Sequence, residues 1–227
     1  MVRPAPSAPA ATSARHDPEC VRCPRLVAFR RELVVRYPGY FNSPVPAFGD
    51  PAPRLLIVGL APGMHGANRT GRAFTGDYAG ILLYESLHAL GLSSRATSVA
   101  ADDALELRGV RITNAAKCVP PQNKPLPAEV RECRFFMRNE LAALGHVRAL
   151  LALGRIAHDA VLGAFDVPRS SCTFAHGAVH ALPENRWLVD SYHCSRYNTQ
   201  TRRLTPAMFR VALGEAASRA GLAPRKP

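Results

Sequence analysis

Long apolar runs and acidic residues are both scarce in this 227-residue chain. No segment approaches the ~20 consecutive apolar residues that a membrane-spanning helix needs. The N-terminal segment also lacks the apolar core of a secretory signal. Residues 1–16 are rich in Pro, Ala and Ser, which is typical of a flexible tail, although Arg3 and Arg15 would also suit a transit peptide. We therefore expect no contact with a membrane.

The shortage of acids leaves 17 Asp and Glu against 29 Lys and Arg, a formal net charge of +12 and an isoelectric point near 10.1. A positive field of this size favours a polyanionic partner such as a nucleic acid. The alternative is a surface that merely carries many solvated arginines. Arg196, Arg202 and Arg203 form a local basic group near the end of the chain.

Two common nucleotide-binding loops are missing as well. Residues 59–77 form a long loop with five glycines after an apolar run at 55–60. The nearest match to the phosphate-binding pattern G-x-x-x-x-G-K-[ST] is 66–71, but Arg72 and Ala73 follow it instead of the lysine and the hydroxyl residue. The dinucleotide pattern G-x-G-x-x-G is absent. The sequence therefore argues against a nucleoside triphosphate or dinucleotide site.

Apolar segments alternate with helical patterns along most of the chain, and no internal repeat is present. Strands are predicted at residues 55–60, 110–114, 149–153 and 187–191, with a further short candidate at 178–182. Helices are predicted near residues 26–35, 79–90, 127–144, 155–163 and 206–220. This alternation predicts an α/β fold: one three-layer α/β/α sandwich over residues 17–220 with a central, mostly parallel four-stranded sheet. Residues 221–227 are expected to form a second tail.

Polar or glycine residues follow each of the four predicted strands. The glycine-rich loop follows the first strand, Asn114 ends the second, Gly154 follows the third and His193 follows the fourth. The carboxyl ends of parallel strands meet at one edge of the sheet, where ligands bind in open α/β folds. We therefore expect these positions to share one site.

The chain has six cysteines, and four of them have a spacing that suits a metal centre. Cys20 and Cys23 form a C-x2-C pair that can chelate one centre, and Cys118 and Cys133 can supply two more thiolates. The spacing does not separate zinc from iron–sulfur, and a redox pair or unrelated buried thiols are further alternatives. Since metal ligation accounts for the pair, no disulfide is implied, and a reducing cytoplasm fits.

Three segments resemble, in the same order, the motifs of the B-type, family 5 uracil-DNA glycosylases. They are residues 59–77 (GLAPGMHGANRTGRAFTGD), 113–125 (TNAAKCVPPQNKP) and 191–205 (SYHCSRYNTQTRRLT). The resemblance implies the uracil-DNA glycosylase fold and a monofunctional enzyme that hydrolyses the N-glycosidic bond of uracil in DNA and leaves an abasic site. B-type relatives are broader than strict uracil enzymes, so hypoxanthine and other deaminated bases are expected substrates too.

The resemblance also implies the identity of the metal centre. The family carries a 4Fe–4S cluster, and Cys20, Cys23, Cys118 and Cys133 match its ligand positions. Four thiolates would tie the N-terminal segment to the loop after the second strand, so the cluster would act as a structural staple. It would also stiffen the loop at residues 119–127, which is expected to clamp the DNA backbone unless it is a simple connector.

Four residues are expected to carry the chemistry once the base is extruded. The resemblance assigns Phe74 to stacking on the base and Asn114 to reading its edge. Asp77 would orient water or stabilise the sugar cation, and His193 would donate to the anion that forms on the base. The residues alone leave plainer alternatives, since Phe74 could belong to the core and Asn114 to a turn. Asp77 could cap a helix, which competes with catalysis, and His193 could be structural.

Two departures from related families bear on these roles. Those families carry a polar residue directly after the first strand, whereas this chain has Leu60 and two further apolar residues. That gap matches the B-type pattern, in which Asp77 serves instead. Related families also carry His-Pro-Ser where this chain has His193, Cys194 and Ser195, so the proline that would stiffen the loop is missing.

The resemblance places further residues at the site. The expected substrate-binding positions are Gly63, His65, Asn68 and Arg69, to which the sequence assigns no individual roles. The expected DNA-binding positions are Lys124, Arg196, Tyr197 and Arg202. Arg196 or Tyr197 stands where relatives carry a wedge that fills the gap left by the flipped base.

Other functions fit the sequence less well. A non-catalytic iron–sulfur nucleic-acid-binding protein would leave the glycine-rich loop, Asn114 and His193 without a purpose. The basic loops argue against a small-molecule enzyme. A bifunctional lyase would need an amine, and neither Lys117 nor Lys124 has an evident desolvated setting. We expect a cytoplasmic, nucleoid-associated monomer whose partner is DNA that contains uracil or other deaminated bases.

Overall fold

The computed structural model of the protein describes residues 16–222. Within this range the helices are α1 (Pro24–Arg36), α2 (Ala67–Thr70), α3 (Tyr78–Ala89), α4 (Pro127–Ala143), α5 (Arg155–Ala164), α6 (Arg196–Gln200) and α7 (Pro206–Arg219). The strands are β1 (Phe48–Gly49), β2 (Leu55–Gly59), β3 (Val110–Asn114), β4 (Ala149–Leu153), β5 (Val179–Leu182) and β6 (Arg186–Ser191). Short 3-10 turns occupy Pro121–Asn123 and Arg169–Ser171.

The predicted tails fall almost wholly outside the described residues, which include only residue 16 of the first tail and residues 221–222 of the second. No helix of the described part combines the length and the apolar character that crossing a bilayer requires.

The sheet has six strands in the order β1-β3-β2-β4-β6-β5 within the described chain. The four predicted strands, β2, β3, β4 and β6, form its centre and pair in parallel. The prediction of a mostly parallel sheet is confirmed, but its strand number was too low. β1 and β5 add one antiparallel strand at each edge, and β1 is only two residues long, too short to produce a pattern in the sequence.

Side chains of the central strands alternate between two cores, which makes the fold a three-layer sandwich. On one face, Leu55 and Ile57 of β2 pack with residues of α3 and α7 such as Leu83 and Phe209. On the other face, Leu56 and Val58 join a core that α4 and α5 cover. Because both faces are covered, the strands are apolar throughout, which is why the sequence shows them as continuous runs.

The strand registers bring the expected functional positions to one edge. Gly59 at the end of β2 pairs with Asn114 at the end of β3, and Leu153 of β4 pairs with Ser191 of β6. The loops that follow all four strands therefore begin at the same level of the sheet. The site is built on this edge.

Candidate active site

A pocket of about 430 Å³ opens at the carboxyl edge of the sheet. The loop after β2, the end of β3 and the segment after β6 all contribute to it, as the strand pattern predicts. Its lining includes Leu60, Gly63, Phe74, Asp77, Asn114, Asn123, His193 and Arg196. Leu60 brings no polar group to the wall, so the polar chemistry of the pocket comes from the other positions.

Gly59 lies where two of these side chains converge. A Cβ at this position would lie 2.4 Å from Oδ1 of Asn114 and 2.6 Å from Cζ of Phe74. Neither atom could stay in place, since real Cβ contacts are never this short. The absence of a side chain at the end of β2 therefore lets the phenyl ring and the amide meet at the pocket floor.

Phe74 has a positive φ of 56°, which is uncommon for a residue other than glycine. Its backbone carbonyl packs against the first turn of α3, where a Cβ on Gly80 would lie 1.9 Å from the oxygen. The side chain is only 6% exposed, yet it lines the pocket. Phe74 therefore belongs to the core and also lines the pocket. Its stacking on a base stays a prediction.

A buried ion pair holds the segment that carries Phe74. Arg72 lies 2.6 Å from the carboxylate of Asp103 and also bonds Thr75 Oγ1 at 2.9 Å and Ser98 Oγ at 2.6 Å. Burial alone would raise the pKa of Asp103, but the hydrogen bonds from Arg72 and from backbone N–H groups outweigh it and lower the pKa to about 2. Arg72, which stands where a phosphate-binding loop would need lysine, is thus a structural residue.

Asp77 lies at the N-terminus of α3 and at the pocket wall. Its Oδ1 accepts a 2.8 Å hydrogen bond from the backbone N–H of Gly80, which caps the helix. A Cβ on Gly63 would lie 3.5 Å from Oδ2, so the second oxygen is on the side of the glycine-rich loop. Burial raises the pKa of Asp77, and hydrogen bonds from the backbone N–H groups of Gly80 and Ala79 oppose that rise. Capping uses one oxygen and leaves the other for the pocket.

Asn114 ends β3 with a buried side chain that is 3% exposed. Its Oδ1 has no hydrogen-bond partner among residues 16–222. A buried acceptor without a partner costs about 1–3 kcal/mol, so it needs a reason to be there. Because Asn114 lines the pocket, a bound ligand with an N–H group could supply the missing donor.

His193 follows β6 and lines both the pocket and an adjacent groove. The centroid of its ring is 6.1 Å from that of Phe74, and the ring planes are inclined by 31°. Burial lowers the pKa of His193 to about 4, so the imidazole is neutral at neutral pH and offers an N–H as donor. The missing proline of this loop is compensated by hydrogen bonds. Asn198 Nδ2 donates to the His193 carbonyl at 2.8 Å, and Ser195 caps α6.

Three of the expected substrate-binding residues lie outside the pocket lining. Asn68 is fully buried and donates to Asn42 Oδ1 at 2.9 Å, which ties the glycine-rich loop to the segment after α1. His65 is exposed, and its Nδ1 lies 3.0 Å from the hydroxyl of Tyr40. Arg69 is exposed as well. The geometry gives Asn68 a structural contact and places His65 and Arg69 on the surface beside the site.

The expected DNA-binding residues are all exposed, but only Arg196 lines the pocket. The guanidinium of Arg196 lies 5.8 Å from the centroid of the Tyr78 ring. Tyr197, on the short helix α6, is 71% exposed. Lys124 and Arg202 belong to two other surface loops. The loop that carries Lys124 reaches the pocket through Asn123, a residue that the sequence did not single out.

Lys117 is desolvated, contrary to the expectation from the sequence. It is 3% exposed and forms a 2.7 Å ion pair with Glu140, and it also donates to Thr113 Oγ1. Glu140 is equally buried, so the ammonium charge is matched. Lys117 lines the cavity of the cysteines rather than the pocket, so it is not placed to act as the amine of a lyase.

The four cysteines of the predicted centre line one small cavity. Burial raises the pKa of Cys23 to about 11 and that of Cys118 to about 12, and neighbouring thiolates add to both shifts. Such mutual repulsion is relieved when a cation binds all four thiolates. The backbone N–H of Lys117 donates to Cys133 Sγ at 3.2 Å, as expected beside a bound thiolate. The donor set therefore fits a four-thiolate metal centre.

The other two cysteines are core residues. Cys194 is fully buried in the core that α3 and α7 cover, and Cys172 is 8% exposed in the core on the opposite face. All six cysteines are free thiols in the structure.

A groove of about 490 Å³ adjoins the pocket, and it was not predicted from the sequence. Leu60 and His193 line both cavities, so the two lie side by side. The groove is also lined by Gly154, Arg155, Ile156, Phe174, Tyr192 and Arg203. The expectation that Gly154 shares the edge with the other strand ends was the one signal that pointed here.

Comparisons with known proteins agree with this geometry. A family model described as the uracil DNA glycosylase superfamily matches residues 46–217. A type-5 uracil-DNA glycosylase of Thermus thermophilus is 52% identical over 208 residues, which cover 89% of this chain and 94% of that protein. A type-5 enzyme of Pyrobaculum aerophilum is 44% identical over 206 residues, 89% of each chain. A type-4 uracil-DNA glycosylase of Archaeoglobus fulgidus is 31% identical over 144 residues, 63% of each.

Proposed function

This chain belongs to the uracil DNA glycosylase superfamily, and we propose that its pocket binds a uracil extruded from DNA. Type-5 uracil-DNA glycosylases match most of its length, so the protein is an N-glycosyl hydrolase of DNA repair. The reaction breaks the bond between the sugar and the base, releases the free base and leaves an abasic site.

The observation that carries the proposal is the unpaired Oδ1 of Asn114 within the described chain. Uracil presents an N3–H donor beside a carbonyl oxygen on its pairing edge. The amide of Asn114 offers the complement, since Oδ1 can accept from N3–H while Nδ2 donates to the carbonyl. Cytosine presents an acceptor and an amino group instead, so it would leave the amide mispaired. Asn114 thereby selects uracil over the normal base.

The same edge supports a second substrate. Hypoxanthine carries N1–H beside the O6 carbonyl, which repeats the donor and acceptor pair of uracil. A pocket that reads only this pair accepts both bases if it has room for a purine. We therefore assign hypoxanthine to the substrate range, with other deaminated bases that present the same pair.

Phe74, Asp77 and His193 each have a different role in base binding and bond cleavage. The ring of Phe74 stacks on the base and fixes its plane. As the glycosidic bond breaks, its electron pair goes to the base, and the neutral imidazole of His193 donates a hydrogen bond to the oxygen where the charge collects. The free oxygen of Asp77 orients a water toward the sugar carbon and stabilises the positive charge there. The burial that raises the pKa of Asp77 makes its ionised form a better proton acceptor.

Cys20, Cys23, Cys118 and Cys133 would hold the 4Fe–4S cluster that the family resemblance implies. When bound, the cluster supplies a cross-link between the start of α1, the loop after β3 and α4. Cys118 and Cys133 flank the loop that carries Asn123 to the pocket mouth. The residues around the cluster therefore position a pocket residue, and no reaction step involves the cluster itself.

DNA binding would involve the exposed side chains around the pocket mouth. In this proposal Arg196 or Tyr197 of α6 would fill the gap left by the extruded base, and Lys124 and Arg202 would contact phosphates. His65 and Arg69 are exposed on the glycine-rich loop itself and would add further contacts to the DNA. Action as a monomer on nucleoid DNA in the cytoplasm remains a prediction.

The decisive test incubates the pure protein with end-labelled DNA that holds one uracil, then cleaves abasic sites with alkali. We expect a labelled fragment at the uracil position from uracil DNA and hypoxanthine DNA, and none from cytosine DNA. Binding of uracil DNA without any abasic product would favour the alternative, a non-catalytic nucleic-acid-binding protein. Leu60→Ala serves as a control, because it alters the pocket wall without removing a polar group.

A further inference from the structure

The groove beside the base pocket combines cationic and aromatic side chains in a way that the reaction at the pocket does not use. Arg155 lies over the Phe174 ring, with Cζ 5.6 Å from the ring centroid. Arg203 lies over the Tyr192 ring at 4.6 Å. Both arrangements are within the range of cation–π attraction, which limits where the guanidinium groups can go.

These two arginines carry uncompensated charge. Neither guanidinium donates a hydrogen bond or forms an ion pair within residues 16–222. No acidic residue is among those that line the groove. A guanidinium held against a ring still presents its N–H edge, which suits a phosphate oxygen. The charge of the groove therefore calls for an anionic occupant.

Apart from His193 and Asn198, the rest of the groove is apolar or aromatic. Leu60, Leu153 and Ile156 contribute aliphatic surface, and Ile156 is 41% exposed. The Tyr192 ring is held in place, since His176 stacks on it at 5.1 Å and accepts a hydrogen bond from its backbone N–H at 3.2 Å. An occupant that matches both parts carries a phosphate and a flat base, which is the description of a nucleotide.

The position of the groove identifies which nucleotide of the DNA strand would occupy it. Leu60 and His193 separate the groove from the pocket, and both residues line both cavities. The groove, at about 490 Å³, is of the same size as the pocket, at about 430 Å³. A strand that places one base in the pocket therefore brings its neighbour to the groove.

We propose that this groove is a second nucleotide subsite, which binds the unpaired nucleotide next to the excised base through Arg155, Arg203, Phe174 and Tyr192. The inference rests on the proposed function, because the neighbour is defined by the base in the pocket. In a duplex the neighbouring base stays stacked and paired, so the groove holds a whole nucleotide only in single-stranded or melted DNA. The subsite thus makes single-stranded uracil DNA a preferred substrate.

The test compares short single-stranded oligonucleotides that carry uracil in the middle and differ at one neighbour. In two of them the base on the 5′ or the 3′ side is replaced by a tetrahydrofuran residue, which keeps the phosphate but has no base. For the natural protein, we expect kcat/KM to fall by about tenfold when the base is missing on one side but not on the other. A factor of this size corresponds to the free energy of stacking one base. The same replacement in duplex DNA should change little.

Two variants connect the effect to the groove. In Phe174→Leu, and in the double variant of Arg155→Ala and Arg203→Ala, the penalty for the missing base should disappear. Arg155 and Arg203 are exposed, so these changes leave the core intact. Arg210→Ala is the matched control, since Arg210 is exposed on α7 and lines neither cavity, and it should keep the penalty.

The outcomes separate the two proposals. If the natural protein cleaves all single-stranded substrates equally, or if the groove variants keep the full penalty, the second subsite is refuted while the glycosylase activity stands. If the double variant of Arg155 and Arg203 lost activity equally on single-stranded and duplex DNA, the two arginines would only be general phosphate contacts. That result would also refute the subsite. If no substrate yields an abasic product, the proposed function itself fails.

Discussion

The carboxyl group of Asp77 occupies the space that a side chain on Gly66 would fill. A Cβ on Gly66 would lie 2.5 Å from Cβ of Asp77 and 2.6 Å from its Oδ2. The opposite oxygen is fixed by its 2.8 Å bond to the N–H of Gly80. The carboxylate is therefore held between the helix that it caps and a glycine of the preceding loop, which explains why this loop needs a glycine there.

Gly66→Ala should displace the carboxylate of Asp77 without removing it. Because misplacement of a reacting group by about 1 Å can cost on the order of 100-fold in rate, we expect a single-turnover loss of that order on uracil DNA. Affinity for DNA should stay nearly unchanged. Gly39→Ala is the control, since nothing lies within 4 Å of a Cβ at that exposed position. Equal rates for the two variants would show that Asp77 tolerates displacement.

Asp77→Asn and His193→Ala should each lower the single-turnover rate while DNA binding stays close to normal. Loss of one preorganised donor or charge at a reacting centre typically costs on the order of 100-fold. Quench-flow measurement of abasic sites, with a separate binding titration, distinguishes the two effects. If Asp77→Asn kept the full rate, water orientation would have to come from the backbone, because Asn68 is buried against Asn42.

The pH dependence tests the protonation state of His193. Burial lowers its pKa to about 4, so protonation is disfavoured in the folded protein and the imidazole is neutral above that pH. We expect kcat/KM to be flat between about pH 6 and 8 and to fall only in acid, where Asp77 and His193 both become protonated. An inflection near pH 6.5 that vanishes in His193→Ala would contradict a neutral donor.

Asn114→Asp should change the choice of base as well as the rate. The substitution keeps an acceptor but removes the amide N–H that donates to the carbonyl of uracil. Excision of uracil should fall by on the order of 100-fold, while the ratio of uracil to cytosine excision falls with it, because a carboxylate can accept from the amino group of cytosine. Asn114→Ala is the comparison: it should lower uracil excision without any gain for cytosine.

Much of this site could be predicted because the chemistry follows the ends of strands. The apolar runs that became β2 and β4 are buried on both faces, so they stand out in the sequence without any partner. Asn114 and His193 are visible as polar residues directly after such runs. The helix cap at Asp77 is equally local, since it needs only the N–H of Gly80 three residues later.

The features that could not be predicted from the sequence depend on contacts between distant segments. β1 exists only because Phe48 pairs with Ile112 of β3, and nothing local marks a two-residue strand. The burial of Asn68 depends on Asn42, which lies in the segment after α1. The groove joins Arg155, Phe174 and Arg203 from three separate parts of the chain, so its charge pattern appears only once the chain is folded.

The metal centre gives a prediction about stability. Purified protein should be brown with broad visible absorption, and it should contain about four iron and four sulfide per chain. Cys118→Ser or Cys133→Ser should remove the colour and lower Tm by on the order of 10 °C, because binding energy at a structural centre is folding energy. Thermal melts with iron analysis on the same samples provide the measurement.

Cys172→Ser is the matched control for these variants. Cys172 is also buried, with 8% exposure, but it packs in the core that α4 and α5 cover and does not line the cavity of the four cysteines. The substitution should cost some packing energy and leave iron content and colour unchanged. A colourless protein that holds zinc in stoichiometric amount would overturn the assignment of the cluster while leaving the four-thiolate site in place.

A buried histidine links β6 to the segment before β5. His158 Nδ1 lies 2.8 Å from Asp190 Oδ1, and its Nε2 lies 3.0 Å from the carbonyl oxygen of Cys172. Carboxylate and carbonyl oxygens only accept, so both ring nitrogens must donate and the ring carries a positive charge. Asp190 is fully buried and also lies 3.1 Å from Nε2 of His180.

This charge makes the stability of the fold depend on pH. Burial alone would lower the pKa of His158, but the hydrogen bond and the negative charge of Asp190 outweigh it, so the pKa is raised. A group with a raised pKa binds its proton more tightly when folded. The stability that protonated His158 adds to the fold is therefore complete below the unfolded pKa of about 6.5 and is lost as the pH rises through the folded value.

Tm should fall as the pH is raised from about 6 to 9, and His158→Gln should remove that slope because the amide of glutamine does not titrate. An equal slope in the variant would assign the dependence to other groups, with His180, the second partner of Asp190, as the next substitution to measure.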